Sequence, residues 1–168
     1  EGLLGTRVDY GKGPLTIVSW EQSADMLDWT LNIRPGLTFH DGRPLTATDV
    51  VGTLNRQRNR AVALRLVWGE FGPENFADFI KVVDDTTFSM SLNEPTAFAL
   101  DALSNFQGFA PRVVHKEWQD TPVEESGAGK PIGHGPFQFD SWTPGAGWTA
   151  VRFEDYSPSE EPTDGESG

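Results

Sequence analysis

Cysteine is absent from this 168-residue chain. That excludes a disulfide framework and thiolate metal sites but leaves the compartment open, because cytosolic proteins and Cys-poor exported ones both fit. No run of about 18 apolar residues occurs, so no segment reads as a membrane-spanning helix. The opening EGLLGTRVDYGKGP lacks the basic-then-apolar order of a signal peptide, and the chain reads as soluble. Basic side chains are scarce, 13 against 25 acidic ones, for a net charge of −12. This argues against nucleic acid or an anionic membrane as the main partner, since both require positive potential. Histidine is limited to His40, His115 and His134, none at the i, i+4 spacing of a helical metal pair. A phosphate loop is also missing: around Gly129-Lys130, Glu124 and Pro131 stand where that motif needs Gly and a hydroxyl residue.

What the chain does have is turn formers and large anchors, with 18 Gly, 12 Pro and 6 Trp, the habit of a mixed or β-rich fold. Its length suits one self-standing core that buries roughly 70% of the unfolded surface. Asp28 to Arg34 (DWTLNIR) alternates Trp29, Leu31 and Ile33 with polar neighbours, the period of a half-buried strand. Arg34-Pro35-Gly36 then turns the chain, predicting a return strand over Leu37 to His40 and a second turn at Asp41-Gly42.

Thr46 with Asp49 three residues on has the spacing of a helix start. Ala47, Val50, Val51 and Leu54 follow on one face, which predicts a helix to about Arg58. Ile80, Val82, Phe88, Met90 and Leu92 alternate about an Asp84-Asp85 turn and predict a hairpin. A second helix is expected from Glu94 to about Leu103, opened by Pro95 in its first turn, and a third from Pro111 to Trp118. A closing hairpin is expected over Pro136 to Trp142 and Trp148 to Phe153. The predicted fold class is α+β, a small mixed or antiparallel sheet with packed helices. Trp29 and Trp142 are its expected core tryptophans. Residues 1–153 form the expected domain, and 154–168, with six acids and no base, form a tail that is loose or docks elsewhere.

Chemistry is harder to find in these residues. His40-Asp41 could serve as a base with an orienting carboxylate, but neighbouring strand residues face opposite ways and no nucleophile stands at matching spacing. A turn with Asp bonding locally is the simpler reading. Arg56, Arg58, Arg60 and Arg65 lie within ten residues of one another, with Trp68 and Phe71 close behind. Such a cluster can satisfy a helix C-terminus, or it can hold a ligand carboxylate bidentately while an aromatic ring covers apolar parts.

Taken in order, EGLLG (Glu1 to Gly5), SWEQSAD (Ser19 to Asp25), WTLNIRPGLTFHDGRPLTATDVV (Trp29 to Val51), VVDDTTFSMSL (Val82 to Leu92), IGHGPFQFDSWTPG (Ile132 to Gly145) and FEDY (Phe153 to Tyr156) resemble the family 5 extracellular solute-binding proteins. These are the peptide, oligopeptide and nickel receptors of ABC importers, and their members are several-fold longer. The resemblance implies a fragment of a two-lobed periplasmic binding protein, the small subdomain of lobe one, in which His40-Asp41 is scaffolding. It implies no enzyme, no cofactor and no metal of its own. The implied partners are a small solute or short peptide held in a cleft and an ABC permease; the implied setting is periplasmic or extracellular, with membrane association through the transporter. Strand edges left open by a missing lobe would let two copies pair as a homodimer.

Mapped onto this sequence, the family's cleft-facing stretches are Arg58, Arg65, Trp68 and Phe71 after the first helix, and Asn105 and Phe106 in the later loop. Arg58, in Asn55-Arg56-Gln57-Arg58, resembles the cleft arginine of the nickel-binding relatives, whereas Asn105-Phe106-Gln107-Gly108 departs from the loop that gives them a second arginine. Leu15-Thr16-Ile17-Val18 and Gly133-His134-Gly135-Pro136 depart from the family pattern as well. The alternative reading is an interaction module that reuses this subdomain without transport; a small hydrolase using His40 or His134 would need an activated nucleophile.

Overall fold

A computed structural model of the chain describes residues 1–7, 9, 11–57, 76–104, 111–119, 121 and 130–159. Its centre is a four-stranded antiparallel sheet of order β3-β4-β6-β5, built from β3 (Ile17–Gln22), β4 (Asp28–Ile33), β5 (Ile80–Val82) and β6 (Thr87–Ser91). β4 behaves as its alternation predicts: Trp29, Leu31 and Ile33 are buried with Ile17, Ile80, Phe88 and Met90. On the opposite face hydroxyls and amides link the strands. Asn32 Nδ2 donates to Ser19 Oγ (3.1 Å), Thr87 Oγ1 to Asn32 Oδ1 (3.2 Å) and Ser91 Oγ to Asp28 Oδ1 (2.7 Å). One face is dry and the other wet, as an antiparallel sheet permits.

Helix α1 (Ala47–Gln57) brings Ala47, Val50 and Leu54 to the same core, with Val51 half-buried against it. Its start is held by the Asp49 carboxylate. Asp49, 2% exposed, accepts from the Thr46 backbone N–H (3.0 Å) and Thr46 Oγ1 (3.1 Å), and takes the Arg43 guanidinium in a two-pronged pair at 2.7 and 3.2 Å. The carboxylate thus caps the helix, satisfies an arginine and closes the preceding loop together. Asp49→Ala is expected to cost about 2–3 kcal/mol, below the cost of breaking a fully buried pair because water reaches the one-third-exposed Arg43. Urea unfolding should show the loss, with Asp49→Asn destabilising less.

Two two-stranded elements flank the sheet: β1 (Leu4–Thr6) with β2 (Lys12–Pro14), and β7 (Phe137–Thr143) with β8 (Gly147–Arg152). Single helical turns α2 (Phe76–Phe79) and α3 (Lys116–Gln119) and a 3-10 turn at Asp101–Leu103 complete the described elements.

Several expectations need correction. Leu37 to His40 is not a return strand on β4, because β3 and β6 occupy both β4 edges. It folds instead on Arg43 to Leu45: Phe39 N–H donates to Arg43 O (2.9 Å) and Leu45 N–H to Leu37 O (2.9 Å), about a turn in which Gly42 takes φ 83°. Residues 94–103 form turns and the short 3-10 helix rather than an α-helix, and Thr96 Oγ1 accepts from Phe98 N–H (3.2 Å), a local bond that competes with the helical one. The Pro111 to Trp118 helix begins only at Lys116. Trp29 is buried as expected, but Trp142 is 66% exposed, on a ribbon face that no described element covers. In the acidic segment, Tyr156 is half-buried, close to the Glu1–Arg34 ion pair (2.9 Å). Burial there outweighs the Arg34 attraction and raises the Glu1 carboxyl above its ordinary value.

Candidate functional site

Arg58, Arg65, Trp68 and Phe71, and Asn105 and Phe106, lie outside the described residues. The structure does describe the roots of both segments. α1 ends with Gln57 Nε2 donating to Arg112 O (3.3 Å), so the stretch after α1 departs beside the residue that follows the second loop. Arg112 in turn bridges to Gly2, and Ser104, which precedes that loop, bridges to Leu4. Ser104 and Arg112 therefore both lie against one extended segment, Gly2 to Leu4. Lys12 Nζ holds Asp101 Oδ1 at 2.6 Å and fixes the 3-10 turn just before Ser104 to β2.

Arg56, the first base of the cluster, is already committed. Its Nη1 donates to Gln119 O (2.9 Å) and Thr121 O (2.6 Å), carbonyls at the end of α3. It therefore caps a neighbouring helical turn rather than its own. Composition offered no way to separate Arg56 from Arg58 and Arg65, since the distinction depends on α3 lying beside α1.

The three histidines have distinct settings. Both nitrogens of His40 are taken by backbone: Nδ1 accepts from Gly133 N–H (3.2 Å), which leaves Nε2–H to donate to Gly135 O (3.0 Å). With His40 N–H donating to Gly133 O (2.8 Å) and Phe153 edge-on at 5.0 Å, this residue stitches the HDG turn to the IGHGP segment. A Cβ on Gly133 would come within 3.2 Å of the ring, so a larger residue there would push the imidazole aside by a few tenths of an ångström. Asp41 Oδ2 lies 3.1 Å from His115 Nε2, a nitrogen that accepts from Arg43 Nε–H (3.1 Å), and not on its neighbour His40, while Asp41 Oδ1 accepts from Arg43 N–H (3.1 Å) in the expected local turn.

His134 and Thr16 come nearest to a base and nucleophile, with Nε2 to Oγ1 at 2.9 Å. The hydroxyl donates to Gly2 O (2.8 Å), so it accepts from His134 Nε2–H. Thr16 is 0% and His134 2% exposed, and His134 Nδ1 has no partner to orient it. Burial first, and nearby positive charge including Arg34, lower this imidazole to a pKa of about 3. A sealed hydroxyl and a ring that refuses protons serve packing.

Residues 13–165 match the model of bacterial extracellular solute-binding proteins, family 5 Middle. A probable peptide ABC transporter periplasmic-binding protein of Sinorhizobium fredii is 35% identical over 162 residues, which are 92% of this chain and 28% of that protein. The solved periplasmic binding protein AgaA of A. tumefaciens, in complex with agropinic acid, aligns over 92% of this chain and 30% of its own at TM-score 0.72 and 26% identity. The structure of NikA from Brucella suis in complex with Fe(III)-EDTA aligns over 99% and 32% at TM-score 0.74, and at 22% identity it speaks for the fold alone. The chain thus spans about a third or less of these relatives, and its α+β architecture is a fragment of the two-lobed periplasmic binding fold, as the sequence implied.

Proposed function

This chain belongs to the bacterial extracellular solute-binding proteins of family 5, and we propose that it supplies part of the substrate-binding component of an ABC-type importer for peptides or related small solutes. Family members are binding proteins that work in the periplasm or outside the cell. The carrying observation is the shared root of the two segments, Gln57 on Arg112 O at 3.3 Å. It supports a single ligand-facing edge to which 58–75 and 105–110 both contribute. On that edge Arg58 and Arg65 take a solute carboxylate in charge-assisted bonds, Trp68, Phe71 and Phe106 cover apolar parts, and Asn105 offers a donor and an acceptor. A second lobe closes over the solute and the loaded receptor docks on a permease outside the cytoplasmic membrane.

The test is a hybrid: the Sinorhizobium fredii relative with its matched segment replaced by residues 13–165 of this chain, titrated calorimetrically beside the 168-residue chain with a pool of di- and tripeptides and with a nickel chelate. Binding is expected from the hybrid alone, because one lobe supplies about half of the contacts, and Arg58→Ala should weaken it about tenfold or more. A folded hybrid that binds nothing while the parent relative binds would overturn the reading and favour an interaction module without transport.

A further inference from the structure

The β7–β8 ribbon has its faces inverted relative to an ordinary exposed hairpin. Trp142 pairs with Trp148, Phe139 with Ala150 and Phe137 with Arg152, and the register shifts between Phe139 and Ser141. That one-residue irregularity puts Phe137, Phe139 and Trp142 on one side, although strict alternation would send Trp142 to the other. The opposite side is the polar one: Ser141 Oγ meets Thr149 Oγ1 at 2.6 Å, and Thr149 Oγ1 donates to Asp140 Oδ2 (2.9 Å). Phe137, Trp142 and Trp148 are nevertheless 63, 66 and 69% exposed. Three such rings offer about 300–500 Å² of bare aromatic surface, the size of the largest patch on a typical monomer.

We propose that this aromatic face is a docking surface for an apolar protein surface from the part of the family architecture that these 168 residues do not span. This rests on reading the chain as a portion of a solute-binding receptor. The other occupants fit worse. Residues 160–168, EEPTDGESG, carry no aliphatic or aromatic side chain apart from Pro162 and cannot cover three exposed rings. A second copy would bring together two chains of net charge −12, across a face short of the roughly 800 Å² that each partner gives a stable interface. The relatives meanwhile extend to about three times this chain's length, which supplies ample polypeptide to cover the ribbon.

Acrylamide quenching of tryptophan fluorescence reads this face directly, the signal of Trp142 and Trp148 being the difference between each protein and its Trp142→Thr/Trp148→Thr variant. Both tryptophans should be freely quenched in the 168-residue chain and several-fold protected in the hybrid described above. The double substitution should lower the hybrid's Tm by several degrees and leave that of the 168-residue chain unchanged. Equal quenching in both proteins overturns the proposal. So does protection that grows with the concentration of the 168-residue chain, which would make a second copy the occupant. Should the hybrid fail to fold, the 168-residue chain decides: a Tm lost on double substitution means that the face is already used internally, and an unchanged Tm supports an external partner. A hybrid that binds peptide with both tryptophans exposed sinks this inference alone. One that shields them and binds no solute sinks the receptor function alone.

Discussion

Trp29→Ala should destabilise the protein by about 3–5 kcal/mol, the range for removing a large aromatic from a packed core. Trp29 is 6% exposed on the inner strand β4, between Gln22 of β3 and Met90 of β6. Its removal opens a void beneath the sheet that neighbours on two strands cannot close without breaking register. The indole also holds the β3–β4 turn. Nε1–H donates to Met26 O (3.2 Å), and Met26 takes a left-handed φ of 61°, a conformation that needs its surroundings to enforce it. Trp29→Phe should therefore recover most of the packing but not the turn, and lie between the two. Trp142→Ala in the same chain should change stability by no more than about 0.5 kcal/mol, because the exposed ring gives up only its cross-strand contact with Trp148. Urea midpoints at pH 7 measure all three; a Trp29→Ala midpoint equal to that of the parent would put Trp29 outside the core.

The opposite fates of these two tryptophans show where the sequence is readable. Asp28 to Ile33 alternates because one of its faces is dry, Thr46 to Asp49 announces a helix because the cap is local, and Ile80 to Leu92 joins its strands through a short turn. Each of these signals lies within a dozen residues. β3 escaped notice because it is an edge strand in which only Ile17 is fully buried, leaving no alternation to find. β1 and β2 are three-residue strands, LGT and KGP, too short to carry a period. The misplaced return strand had a non-local cause: β4 pairs with β6 some sixty residues later, and that partner had already claimed the edge which Leu37 to His40 would have needed. Trp142 sits in a good strand, but burial belongs to a face and its cover, and the irregularity at Asp140 is not written in a window of alternating residues. The proposed ligand edge was legible only through resemblance. Its arginines gain meaning from the neighbours that Gln57 and Arg112 bring together, and no spacing along the chain encodes that contact.

Acid should expose the role of His134. The native imidazole is held to a pKa of about 3, against about 6.5 in an unfolded chain. Between those values the unfolded state takes up a proton that the native state refuses, so stability falls as pH falls through the window and is fully present above it. At roughly 1.4 kcal/mol per pH unit, the loss between pH 7 and pH 3 is about 4 kcal/mol. The structural reason is the same bond that seals the site: with Thr16 accepting from Nε2–H, the second proton must go to Nδ1, which is buried without a partner and lies in the field of Arg34. Protonation would add an unpaired donor and a charge at once. Glu1 works in the other direction. Its raised carboxyl keeps a proton that the unfolded state releases, so it favours the fold at low pH and loses that contribution as pH rises through its native value. Comparing the chain with His134→Gln cancels this opposing effect, because glutamine can still donate to Thr16 but does not titrate. The parent's urea midpoint should fall more steeply than the variant's between pH 6.5 and pH 4. Parallel curves would mean that His134 takes up its proton within the fold, and that the Gly133-His134-Gly135 segment opens to water far more readily than its hydrogen bonds to Thr16 and His40 allow.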